Sequence, residues 1–170
     1  GSGNNLLMEE NIHSIVINAR DITLRKDAEE ERSRLAAIVD FSNDSIIAKT
    51  LEGIITSWNH AAERLYGYKA EEIVGQSVSI LVPPDRPKEI PEILNRLKKG
   101  EKIEELETVR IHKDGQLIEV ALTISPIKNA SGKIIGASSI ARNITERRRA
   151  QRQIEEAARL KSEFTSTVSH

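Results

Sequence analysis

The chain has 170 residues, a length that suits one globular domain with additional helix. Its 25 basic and 26 acidic residues leave a formal net charge of −1, so bulk electrostatics makes no case for nucleic acid or an acidic membrane. Cysteine is absent, which excludes disulfides, thiolate metal sites, a cysteine nucleophile and any covalently attached flavin or other cysteine-linked chromophore. Its longest apolar runs fall far short of the roughly 20 residues that span a bilayer, and no basic-then-apolar leader opens it. A soluble, cytoplasmic protein is the expectation.

Residues 1–3, Gly-Ser-Gly, read as the remnant of an expression tag. Beyond them lies an internal repeat. Moving residues 12–28 forward by 122 positions superposes Ile12, Ala19, Arg20, Ile22, Thr23, Arg25 and Ala28 on Ile134, Ala141, Arg142, Ile144, Thr145, Arg147 and Ala150. Asp21 then faces Asn143, and Lys26 faces Arg148. Each copy reads as a short strand, an Arg-(Asp/Asn)-Ile-Thr joint and a charged helix. The period is too long for a solenoid but suits tandem small domains. Residues 4–23 are therefore expected to be the tail strand and exit joint of an upstream domain, followed by a linker helix over 24–40. Chance similarity of two strand-to-helix junctions is the alternative.

Between the copies the pattern is α+β. Strands are predicted at 45–50 and 54–58, joined by the Glu52-Gly53 turn. Asn59 is a helix N-cap for 60–66, and Gly67 stops that helix. A helical turn follows at 70–74, and a second helix is expected over 89–99. Three strands come next, at roughly 103–112, 116–125 and 133–142. The first two are joined by the hairpin turn Lys113-Asp114-Gly115. In the second, Ile118, Val120, Leu122 and Ile124 alternate with Glu119, Ala121, Thr123 and Ser125.

Trp58-Asn59, Ala61-Ala62-Glu63-Arg64-Leu65, Gly67-Tyr68, Glu71-Glu72, Gly75 and Pro83-Pro84-Asp85 occur in order at telling spacings. Lys113-Asp114-Gly115, Ser125-Pro126-Ile127 and Gly132…Gly136…Arg142-Asn143-Ile144-Thr145 complete the set. Together they resemble the PAS domain pattern, with the domain at 41–143. The resemblance implies a five-stranded antiparallel sheet with short helices on one face, flanked by N- and C-terminal linker helices. It also implies that Asp21 with Thr23, and Asn143 with Thr145, form signal-transmission joints between a last strand and an outgoing helix. Asn143 stands where the family usually has Asp, which weakens any contact that needs a full negative charge there. An ordinary helix cap is the alternative for these residues.

The segment 144–170 ends in Lys161-Ser-Glu-Phe164 and Ser169-His170, which resembles the start of the phospho-acceptor helix of sensor histidine kinases. His170 is then the phospho-acceptor. The whole protein implied is an ATP-dependent protein histidine kinase, with an ATP-binding catalytic domain and a response regulator as partners. This chain carries neither a phosphate-binding loop nor paired carboxylates, so catalysis is not expected of it. A dimerisation or small-ligand-binding linker feeding a non-kinase output is the competing reading.

Leu24, Ala28, Glu31, Leu35 and Ile38 repeat at coiled-coil spacing, as do Ala150, Ile154, Ala157, Lys161, Phe164 and Val168. A parallel homodimer through these helices follows as an expectation, with Glu31 and Lys161 as polar defects. No cofactor is specified. Haem-binding members of the family that the chain resembles carry a histidine in the helix after the Pro-Asp-Arg turn. Here Asp85-Arg86 is followed by Pro-Lys-Glu-Ile-Pro, so the resemblance disfavours haem. His60 and His112 read as surface residues, and no metal-ligand spacing occurs. The cluster Arg147-Arg148-Arg149 reads as a solvated helix face pairing with acidic neighbours, because no aromatic residues interleave to favour nucleic acid.

Overall fold

A computed structural model of the chain describes residues 3–168, with side chains placed from Met8 to Thr167. Two compact units divide it, one ending at Asp40 and one beginning at Phe41.

The first unit is a single helix, α1, Gly3–Asp40. Residues 4–23, expected as a strand and joint, are helical instead. An isolated strand leaves every backbone N–H and C=O without a ladder partner, whereas a helix satisfies them within its own length. Thr23 follows that logic: its hydroxyl donates to the Ala19 carbonyl one turn back, at 2.9 Å. Asp21 and Thr23 thus lie inside α1 and form no strand-to-helix corner. The apolar residues of α1, among them Ile12, Ile15, Ile22, Leu24, Leu35 and Ile38, are exposed.

The second unit contains β1 (Ser45–Lys49), β2 (Ile55–Trp58), α2 (His60–Tyr66), α3 (Ala70–Ile73), a 3₁₀ turn (Val78–Leu81) and α4 (Glu89–Lys98). It continues through β3 (Ile103–Ile111), β4 (Leu117–Lys128), β5 (Ile134–Asn143) and α5 (Thr145–Val168). The five strands form one antiparallel sheet in the order β2-β1-β5-β4-β3, the expected fold class.

Alternation along β4 sends Ile118, Val120, Leu122 and Ile124 to one face, where they meet Ile90, Ile93 and Leu97 of α4. Burying these side chains, at about 1.5–3 kcal/mol each, is the main force closing the sheet under the helices. The Trp58 and Tyr66 rings lie 5.4 Å apart in the same core. β4 runs on past its expected end through Pro126, which pairs with Ala137 of β5. β3 reaches β4 only as far as Ile124, so Pro126 faces an open edge where its missing N–H costs nothing. Within β3 the register jumps between Ile103 and Leu106, and Glu105 takes a left-handed φ of 48°, the mark of a bulge. Gly136 is dictated by packing, since a Cβ there would sit 2.6 Å from the Lys49 carbonyl oxygen.

Candidate functional site

Two places combine polar chemistry with tertiary constraint: the corner between β5 and α5, and the interior between the sheet and α4.

At the corner, Asn143 ends β5 opposite Val120. Its Oδ1 accepts the Thr145 N–H at 3.0 Å, an Asx turn that starts α5. Ile144 is buried and its N–H donates to the Glu119 carbonyl at 2.9 Å. The Thr145 hydroxyl oxygen accepts the Glu119 N–H at 3.1 Å. Two consecutive residues of the corner therefore grip both backbone groups of one β4 residue. The amide of Asn143 makes its contact as a neutral acceptor, so the turn forms without the carboxylate usual in the family.

Of the three arginines named from the sequence, Arg147 and Arg148 find a partner on the sheet. Arg147 Nη2 lies 2.8 Å from Glu107 Oε1 of β3, and Arg148 pairs with the other oxygen of the same carboxylate. Arg152 pairs with Glu119. These pairs are largely exposed and individually weak. Their common effect is to lay the first two turns of α5 along β3 and β4. On the same face of the sheet, Arg142 Nη2 reaches Asp44 Oδ2 at 3.2 Å, just ahead of β1.

The interior cluster was missed by sequence reasoning. Ser45, Ile47 and Lys49 share the buried face of β1, and Lys49 is 4% exposed. Its Nζ donates to the Ser139 hydroxyl of β5 at 2.6 Å. Burial, reinforced by the Arg110 charge, lowers the Lys49 pKa to about 8. Arg110 of β3 is equally buried, and its Nη2 lies 2.6 Å from Glu89 Oε1 of α4. The other oxygen of Glu89 accepts the Thr108 hydroxyl at 2.9 Å. Tyr66 completes the group, and burial pushes its hydroxyl up to about 12. A signal for Arg110 was present: the 113–115 turn sets residue 110 opposite 118, an inward position of β4.

Of the expected site residues, Asn143 and Thr145 come together, while Asp21 and Thr23 sit a turn apart or less on α1. His170 lies outside the described residues. His60 is exposed, and His112 is half-buried with Nδ1 2.8 Å from Asp114 Oδ1.

Comparison with known proteins places residues 43–146 on the model of the PAS domain. The signal transduction histidine-protein kinase AtoS of Escherichia coli is 34% identical over 83% of this chain and 23% of its own length. Two-component system protein A of Emericella nidulans is 37% identical over 69% of this chain and 18% of its own. The chain thus spans less than a quarter of these relatives. Among solved structures, the PAS domain of a Colwellia psychrerythraea protein matches with a TM-score of 0.61 and 32% identity, over 67% of this chain and 97% of that one.

Proposed function

The chain belongs to the PAS domain family, and from that premise we propose that it is the signal-transmitting module of a two-component sensor histidine kinase. In this reading a change in the domain interior reaches α5 through the β5–α5 corner and is carried along the helix to the phospho-acceptor His170. The observation that carries it is the double grip of Ile144 and Thr145 on Glu119. A shift of β4 relative to β5 cannot occur without moving the first turn of α5. The kinase assignment is supported by the relatives, two-component proteins over most of this chain's length. The ATP-binding catalytic domain and the response regulator belong to the proposal on the same ground.

We assign the assembly as a homodimer through the linker helices. Ile154 and Phe164 lie on one stripe of α5 and are 70% and 71% exposed, unusual for side chains of that size. Among the described residues no helix is long and apolar enough to cross a membrane, and a cytoplasmic setting accords with that. Residues 12–28, although helical here, match 134–150 in sequence, and on that ground we retain the reading that residues 4–23 correspond to the exit of an upstream domain.

The test is Thr145→Ala in the full-length kinase. Altered regulation of autophosphorylation with an intact fold supports the relay. Unchanged regulation reduces Thr145 to a helix cap.

A further inference from the structure

The interior cluster carries one positive charge more than it can neutralise. Lys49 and Arg110 are both 4% exposed, and among the described residues the carboxylate paired with this cluster is that of Glu89. Glu89 is engaged on both oxygens: Oε1 is ion-paired with Arg110 although it accepts no hydrogen bond, and Oε2 accepts the Thr108 hydroxyl, with Arg86 Nη1 at 3.9 Å from it. Lys49 has a single neutral partner, the Ser139 hydroxyl. An ammonium placed this deep with no counter-charge is costly, and proteins hold such groups when something supplies the opposite charge. Tyr66 offers none, since its hydroxyl stays protonated at neutral pH.

The same residues line a cavity of about 20 Å³, bounded by Lys49, Arg110, Ser139 and Tyr66 with apolar walls that include Ile93 and Leu122. On this measure a single water-sized group needs about 10–15 Å³. The space therefore admits a small group and excludes a bulky or planar ring system.

We propose that this cavity is a binding site for a small monovalent anion, such as formate or chloride, held between Lys49 Nζ and the Arg110 guanidinium. Ser139 fixes the ammonium from the β5 side, and the apolar walls keep the ion pair dry. A monovalent charge matches the surplus of one; a dianion would overcompensate it. The inference deepens the relay reading by naming the chemical class of an input, because Ser139 lies on β5, the strand that leads into α5. Its test reads binding on the chain alone, so failure of binding and failure of the relay are distinguishable.

The experiment titrates sodium formate and, in parallel, sodium chloride into the full chain at pH 7 and fixed ionic strength made up with sulfate. Nuclear magnetic resonance follows the Lys49 Cε and Ser139 amide signals. Saturable shifts at both residues are expected for at least one of the two anions, with the Lys49 titration midpoint rising above about 8. Lys49→Met keeps the length and the apolar character of the stem, and is expected to fold, which its amide spectrum checks. It should weaken binding roughly 10- to 100-fold, the loss of one charge-assisted contact. Ser139→Ala should weaken it less, since Lys49 keeps its charge. Either of two results overturns the proposal: no saturable shift with either anion, or equal shifts in wild type and Lys49→Met.

Discussion

The His112 imidazole rests on the backbone of Gly67, so close that a Cβ at residue 67 would fall 2.5 Å from its ring atoms. Gly67 also has a φ of 80°, as the C-cap that ends α2. The neighbouring Lys113 N–H donates to the Tyr66 carbonyl at 2.9 Å, which fastens the β3–β4 hairpin to the end of the helix.

Gly67→Ala should therefore destabilise the domain by about 1–2 kcal/mol for the left-handed backbone alone, and further for the collision. In a His112→Ala background the collision disappears. Urea denaturation of the four proteins of that cycle should give a coupling of about 0.5 kcal/mol or more. Strict additivity would show that the imidazole swings aside freely.

Asn59 holds three backbone groups at once. Its Oδ1 accepts from Ile46 N–H at 3.0 Å and Ala62 N–H at 2.9 Å, and its Nδ2 donates to the Asp44 carbonyl at 3.1 Å. Asn59→Ala should cost on the order of 2–3 kcal/mol, because buried donors lose their acceptor. Asn59→Asp keeps both accepted bonds and should cost less. Thermal unfolding that ranks the two variants the other way would contradict this division of roles.

At the β5–α5 corner, Thr145→Ala removes the acceptor for the Glu119 N–H, at a cost of about 1 kcal/mol. Thr145→Ser retains the hydroxyl and should recover most of it. Hydrogen exchange at the Glu119 amide is the direct readout, faster in the Ala variant and near wild type in the Ser variant.

The pH dependence has a defined sign. Lys49 falls from 10.5 to about 8 on folding because burial disfavours its charge, with Arg110 adding to the effect. Below pH 8 it is charged in both states, and the fold bears the full penalty, on the order of 3 kcal/mol. Between pH 8 and 10.5 the native state binds fewer protons than the unfolded one, so this contribution to stability rises. Tyr66 acts oppositely above pH 10, where the unfolded chain ionises first. Lys49→Met should be more stable than wild type below pH 8, with its advantage shrinking towards pH 10.5. A pH-independent difference in denaturation free energy would argue against a buried ammonium.

Much of this was legible because local chemistry and tertiary demand agree. Asn59 is a good cap wherever a helix follows, Gly67 suits a left-handed stop, and the alternation of β4 leaves one buried face. Residues 4–23 failed that test: their β-like pattern needs a neighbouring strand, and helix prevails without one. Lys49 was hidden by its strand, since Ser45-Ile-Ile-Ala-Lys49 carries apolar residues on both faces and gives no clean period. Arg110 required the register of the hairpin. The sheet pairing of Arg147, Arg148 and Arg152 spans 33–41 residues of sequence and has no local trace.

The ion pair between Asp44 and Arg142 has a topological meaning. Ser45 and Ala141 are cross-strand partners, so the polypeptide enters and leaves the sheet at adjacent points, about 5 Å apart. Such a body behaves as a cassette. It can be spliced into a continuous chain with its two ends side by side.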